Sequence, residues 1–176
     1  MNVITIILLI LAGIIALVFI LALFMKKEHY VKRDIIINAP QQKVFDYIKL
    51  LKNQDEFNKD AKTDPNRKRA FKGTDGTVGY IYSWSGNKDA GVGEKEIIHI
   101  VEGKSIETEI RFEKPFKAVG RAIMETESLS DDQTKVYWSN AGVLKYPLNL
   151  LIPMVERSVA KGMDTSLSTL KKILEN

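Results

Sequence analysis

The 176-residue sequence contains no cysteine and only two histidines. The missing thiols exclude disulfides, a cysteine nucleophile and thiolate-bound metal, and they leave the redox compartment open. His29 and His99 stand far apart, with no HExxH pair or clustered carboxylates beside them, so no metal centre is expected. No Gly-x-Ser-x-Gly elbow occurs, and Ser83 and Ser85 flank Trp84 without an identifiable base. Gly91-Val-Gly93 lacks the third glycine and the following helix of a dinucleotide fingerprint; it reads as a bulge or tight turn. No cofactor is expected from these absences.

Charge of either sign is missing from Met1 to Met25, so all 26 basic and 22 acidic residues lie beyond that point. Their surplus of +4 is mild. It lacks the dense, one-faced basic character of a nucleic-acid binder, so no nucleic-acid partner is expected, and a weak attraction to anionic headgroups fits better.

Val3 to Phe24 is an uninterrupted apolar run broken only by Thr5 and Gly13. As a helix it would extend roughly 33 Å, close to the hydrocarbon thickness of a bilayer. A cleaved signal peptide would need a basic n-region and a small-x-small site, whereas this run ends Leu21-Ala22-Leu23-Phe24-Met25. A buried core helix would show a polar edge. Residues 1–25 are therefore expected to form a transmembrane signal-anchor helix, with the membrane as partner through residues 3–24. Lys26, Lys27, Lys32 and Arg33 follow the span, and basic residues stay preferentially on the cytoplasmic side. The expectation is a single-pass protein, in the inner or plasma membrane if bacterial, with residues 26–176 as a cytoplasmic domain.

That domain opens with a β-branched run, Tyr30–Asn38, which predicts a strand. Pro40 suits a first helical turn, and Val44, Phe45 and Ile48 recur at helical spacing up to about Leu51. Residues 52–64 read as a short helix or ordered loop. Short strand-like runs follow, at 67–71, 77–84, 93–101, 105–112, 116–127 and 134–143, separated by turn chemistry. Ile106, Thr108, Ile110 and Phe112 alternate with Glu107, Glu109 and Arg111, and Val78, Tyr80, Tyr82 and Trp84 form a second one-sided row. Such patterns belong to an antiparallel sheet covered on one face, connected as a meander. From about Leu148 to Leu174, Ile152, Val155, Val159, Met163, Leu167, Leu170 and Leu174 recur at helical spacing, which predicts one long terminal helix.

The layout is α+β: a curved antiparallel seven-stranded sheet around a long C-terminal helix, preceded by the apolar helix. Arg33-Asp-Ile-Ile-Ile-Asn-Ala-Pro40 with Val44-Phe45-Asp46-Tyr47-Ile48 resembles the START/Bet v 1-like helix-grip superfamily (SRPBCC). Gly76-Thr-Val-Gly79, Tyr82-Ser-Trp84-Ser-Gly86-Asn87, Gly91-Val-Gly93-Glu94, Thr134-Lys-Val-Tyr-Trp138 and Leu170-Lys-Lys-Ile-Leu174 extend the resemblance from Tyr30 to the end. Within the superfamily it points to the bacterial polyketide cyclase/dehydrase and lipid-transport group. The resemblance implies the helix-grip fold. Function it leaves among carriers, cyclases, sensors and co-chaperones.

A gripped sheet that fails to close completely would leave a cavity for a lipid-like or small hydrophobic ligand. Tyr80, Tyr82, Trp84, Phe112, Met124 and Trp138 of the sheet, with Val155, Val159 and Met163 of the helix, are its expected lining. Each could equally be ordinary core. Ala118, Gly120 and Ala122 share a face with Phe116 and Met124, and would enlarge the hollow or admit the helix closely. For a cyclase-type enzyme instead, His99 and Tyr82 are the candidate proton-moving residues; a cavity-free interaction module is a third reading. The remaining charges, Asp55-Glu56, Asp131-Asp132 and the basic run Arg67-Lys68-Arg69 with Lys59, Lys62 and Lys72, are expected to be solvated, with a headgroup contact as the alternative for the basic run. His29, just after the span, is expected at the surface.

Overall fold

In the computed structural model, which describes residues 2–176, the chain begins with a 22-residue helix, α1 (Val3–Phe24). Three residues later comes β1 (Glu28–Ile37), then the helices α2 (Gln41–Ile48) and α3 (Leu51–Phe57) and a 3-10 turn (Asp60–Lys62). Six further strands follow: β2 (Lys68–Lys72), β3 (Ile81–Ser85), β4 (Val92–Val101), β5 (Ser105–Lys114), β6 (Ala118–Ser130) and β7 (Gln133–Val143). A second 3-10 turn (Leu148–Leu151) leads into α4 (Ile152–Glu175). The strands form one antiparallel seven-stranded sheet in the order β1-β7-β6-β5-β4-β3-β2, a meander from β2 to β7 with β1 added beside β7.

Strand alternation sets the two faces. On the inner face, Ile37, Ile97, Ile106, Met124 and Val136 pack with Leu167, Leu170 and Leu174 of α4, and Val44, Ile48, Leu51 and Phe57 of α2 and α3 complete the core. The outer face is laced by ion pairs; Arg111 reaches Glu94, Glu96 and Glu109, each at 2.7 Å.

One sequence expectation shifts. The strand expected from Thr77 pairs with β4 as a regular strand only from Ile81, because Gly76 and Gly79 take left-handed φ values of 78° and 86° and turn the chain. Val78 accordingly lies in that turn, 60% exposed, outside the Tyr82–Trp84 row. The terminal helix is regular from Ile152, immediately before Pro153, the start that this proline favours because the first turn needs no backbone N–H there.

The grip has two distinct ends. The start of β1, the end of β7, the β5–β6 turn and the start of α4 lie together at the end where α1 attaches. There Asn149 donates from Nδ2 to the carbonyls of Ala22 (2.6 Å) and Met25 (3.2 Å), and the Phe19 and Tyr146 rings sit 6.1 Å apart. Leu144 N–H donates to the Lys27 carbonyl at 2.8 Å. Ala22 is the one buried residue of α1, so the helix is not a core helix. At the opposite, far end, the C-terminal turn of α4 closes against α2, where Lys43 donates to the Leu174 carbonyl at 2.8 Å.

Candidate functional site: the inner face of the grip

The inner face carries a continuous aromatic row. Phe71 of β2 stands opposite Tyr82 of β3, with ring centroids 5.5 Å apart and a further 6.5 Å to Tyr80. Tyr82 stacks on Trp84 at 6.2 Å, and Trp84 meets the edge of Phe112 at 5.8 Å. Trp138 lies across the sheet from this row, packed edge-on to Phe57 at 6.2 Å, and its indole N–H is buried without a partner.

Along this face, burial falls toward α1. Tyr80, Tyr82, Trp84, Met124, Trp138 and Met163 are buried, but Phe112 is 40% exposed and Val155 and Val159 are half-buried. The cause is residue size. Gly93, Ala118, Gly120, Ala122 and Gly142 occupy the inner face here, and α4 runs closest along β1, away from the sheet's middle. A Cβ added at Gly120 would meet only the Ala141 carbonyl within 4 Å, with no atom of α4 in range. The partial exposure of Phe112, Val155 and Val159 and the sparse surroundings of Gly120 mark an open trough at this end of the face. This differs from an enclosed cavity. The deep half of the expected lining is packed core, and the two best-defined clefts lie elsewhere. One, of about 450 Å³, lies at the far end between Gln41 and Thr126. The other, of about 260 Å³, lies by Ala70, Ser83 and Glu94 on the outer face.

The flank of the aromatic row holds a polar cluster. Arg67 Nη2 donates to Asp55 Oδ1 (2.7 Å) and to the Tyr82 hydroxyl (2.6 Å); that hydroxyl donates to Asp55 Oδ2 (2.6 Å), which also accepts from Arg69 Nε (3.0 Å). Arg67 is buried, so the expectation of a solvated Arg67 and Asp55 is corrected: a guanidinium this enclosed requires its carboxylate. Burial, with Asp55 beside it, pushes the Tyr82 phenol up to about 12, so it stays protonated at neutral pH. Tyr80 is pushed up to about 12 as well, mainly by burial. Lys95, opposite Tyr82 on β4, points its ammonium inward to Gln54 Oε1 at 3.1 Å, and burial lowers it to about 8.

The candidate proton movers do not meet. Residues 93, 95 and 97 face inward, and simple alternation would place His99 beside them. A bulge between Ile97 and His99 adds one residue, so His99 stands opposite Glu107 on the outer face, exposed. His29 reverses its expectation too: it lies over Gly142, inside the rim, with Nε2 3.0 Å from Asn140 Oδ1. Sequence reasoning missed Phe71, Arg67 and Lys95. Only Phe71 left a signal, since hairpin register places it opposite Tyr82. Among the described residues no His, Asp or Glu cluster could hold a metal ion.

This architecture, a curved antiparallel seven-stranded sheet gripping one long C-terminal helix, is a helix-grip α+β fold. The chain matches no protein-family model and no curated protein. Solved structures share the fold. Truncated norcoclaurine synthase from Thalictrum flavum is similar at 11% identity and TM-score 0.65, over 85% of this chain and 95% of that one. Ara h 8.0201 is similar at 16% identity and TM-score 0.61, over 84% and 97%. The Aha1 dimer from Colwellia psychrerythraea gives 13% identity and TM-score 0.58, over 83% and 96%. At such identities the likeness establishes the fold alone.

Proposed function

We propose that the chain is a membrane-anchored, non-catalytic binder of a lipid-like or other small hydrophobic molecule, held in the trough at the α1 end of the grip. One observation carries this reading: where the long apolar helix joins the domain, the inner face leaves Phe112 40% exposed and Val155 and Val159 only half-buried. Soluble domains rarely leave such patches without a use. The N-terminal helix is long and apolar enough to span a bilayer and exposes nearly its whole length. A non-catalytic role fits the outward His99 and the Tyr82 proton committed to Asp55.

The only two tryptophans, Trp84 and Trp138, both face the gripped space and report on it directly. Full-length protein in nanodiscs is titrated with a brominated short-chain fatty acid while tryptophan emission is followed. Saturable quenching is expected, and native mass spectrometry should release a bound lipid in near-stoichiometric amount. Linear, non-saturable quenching together with no co-released lipid rejects the reading.

A further inference from the structure

The segment joining β7 to α4, Leu144–Leu151, is unusually apolar for a connection between elements. Tyr146 is 43% exposed, Leu148 38% and Leu151 36%, and Met154 follows at 63%. Phe116 in the β5–β6 turn and Val119 at the start of β6 add 39% and 54% at the same end of the sheet. Each alone would be unremarkable; gathered on one rim they form a surface with no covering element.

What covers that rim is fixed by its attachment to α1. Only Met25, Lys26 and Lys27 separate α1 from β1, and the Asn149 bonds to the Ala22 and Met25 carbonyls clamp the segment onto the helix terminus. Tyr146 contacts Phe19, which lies five residues before the last residue of α1. At about 1.5 Å per residue, that contact sits about 7.5 Å back along the helix, within the depth that interfacial segments reach. A span centred on α1 therefore carries Tyr146 below the level of the helix end. The composition matches this depth. A tyrosine is an interfacial residue, and exposed Lys145 has the reach to return its ammonium to the headgroups. Lys114 and Lys117 flank Phe116, and Arg157 follows on α4. Against these and Lys26 and Lys27 stand Glu28, Glu113 and Glu156, the last already paired with Lys26 at 2.6 Å.

The geometry points to a lipid-seated rim: Leu144–Met154 and the β5–β6 turn rest in the headgroup and upper acyl layer of the leaflet from which α1 emerges. The trough then opens onto phospholipid, and its occupant enters sideways from that leaflet. This rests on the reading of α1 as a span. It also deepens the proposed function by naming the source of the ligand as a bilayer phospholipid.

The chain has no cysteine, so single cysteines can be placed at will and labelled with an environment-sensitive fluorophore. Phe116→Cys, Leu148→Cys and Met154→Cys probe the rim, Leu129→Cys the exposed far end, and Val18→Cys the helix. The full chain is reconstituted into mixed phosphatidylcholine and phosphatidylglycerol vesicles containing lipid brominated high on the acyl chain. Quenching at 116, 148 and 154 several times that at 129 is expected, with blue-shifted emission. Quenching at the rim no greater than at 129, with 18 strongly quenched by deeply brominated lipid, overturns the seated rim and leaves the span standing. Absence of quenching at 18 overturns both. The tryptophan titration is independent of either result, so loss of the rim and loss of ligand binding are separately visible.

Discussion

At the far end of the grip, Ile37, Ile97 and Leu170 are fully buried, whereas at the α1 end Phe112 is 40% and Met154 63% exposed. The same sheet and the same helix build both ends, so the difference lies in side-chain supply. The far end receives isoleucine, valine and leucine from seven elements, including α2, which caps it. The α1 end receives Gly93, Gly120, Gly142 and two alanines from the sheet. From α4 it receives a turn in which Glu156, Arg157 and Ser158 separate Val155 from Val159. Stability and opening are thus assigned to opposite ends, the usual division between a rigid scaffold and a binding region.

The comparison is sharpest at matched truncations. Leu170→Ala at the closed end should lower unfolding free energy by about 3 kcal/mol, while Val155→Ala at the open end should cost less than about 1 kcal/mol. Denaturant titration of the full chain in mild detergent reads both, and equal costs would mean the α1 end is as tightly packed as the other.

Lys95 marks the boundary, between Gly93 of the open half and Ile97 of the closed one. Its folded pKa lies near 8, below the ordinary 10.5. Below about pH 8 both folded and unfolded chains carry the ammonium, and the desolvation cost is present in full. Between 8 and 10.5 only the unfolded chain still binds the proton, so native stability rises with pH. Lys95→Met should therefore stabilise by about 1–2 kcal/mol at neutral pH, allowing for solvent access to a half-buried residue. The advantage should shrink as pH climbs toward 10.5. A difference that stays constant across that window would place the ammonium in water.

Gly120→Leu should act on binding and spare the fold. The added side chain enters the trough, and its Cβ meets the Ala141 carbonyl at 3.1 Å, a tight contact that a shift of a few tenths of an ångström between β6 and β7 must absorb. Quenching of the tryptophans by brominated fatty acid should weaken at least about tenfold, equivalent to about 1.4 kcal/mol. Unfolding should move by no more than about 1 kcal/mol. Unchanged binding would remove the trough from the ligand's path.

Much of the fold was legible because its signals are periodic. Residues 3–24, the alternation of Ile106 to Phe112 and the stripe from Met163 to Leu174 each declare an element from a few positions. The candidate site was legible as a face but not as a shape. Which side Tyr82 and Trp84 occupy follows from parity, yet whether space remains above them depends on where α4 lies, a three-dimensional fact. His99 failed for a local reason: one additional residue at Ile98 reverses every parity beyond it, and nothing in Glu96-Ile-Ile-His-Ile100 announces the insertion. Arg67 and Asp55 failed because each looks like ordinary surface charge until β2 and α3 converge.

The three-residue connector between α1 and β1 has a consequence for how such a protein could work. With α1 in the bilayer and Asn149 fastened to its end, the domain has no slack with which to swing away. On the proposed reading its encounters would occur by lateral diffusion in two dimensions, and any cargo would have to be handed to an acceptor that comes to the same patch of membrane. Lengthening that connector with a flexible insert, together with Asn149→Ala to undo the clamp, would let the domain reach partners farther from the end of α1.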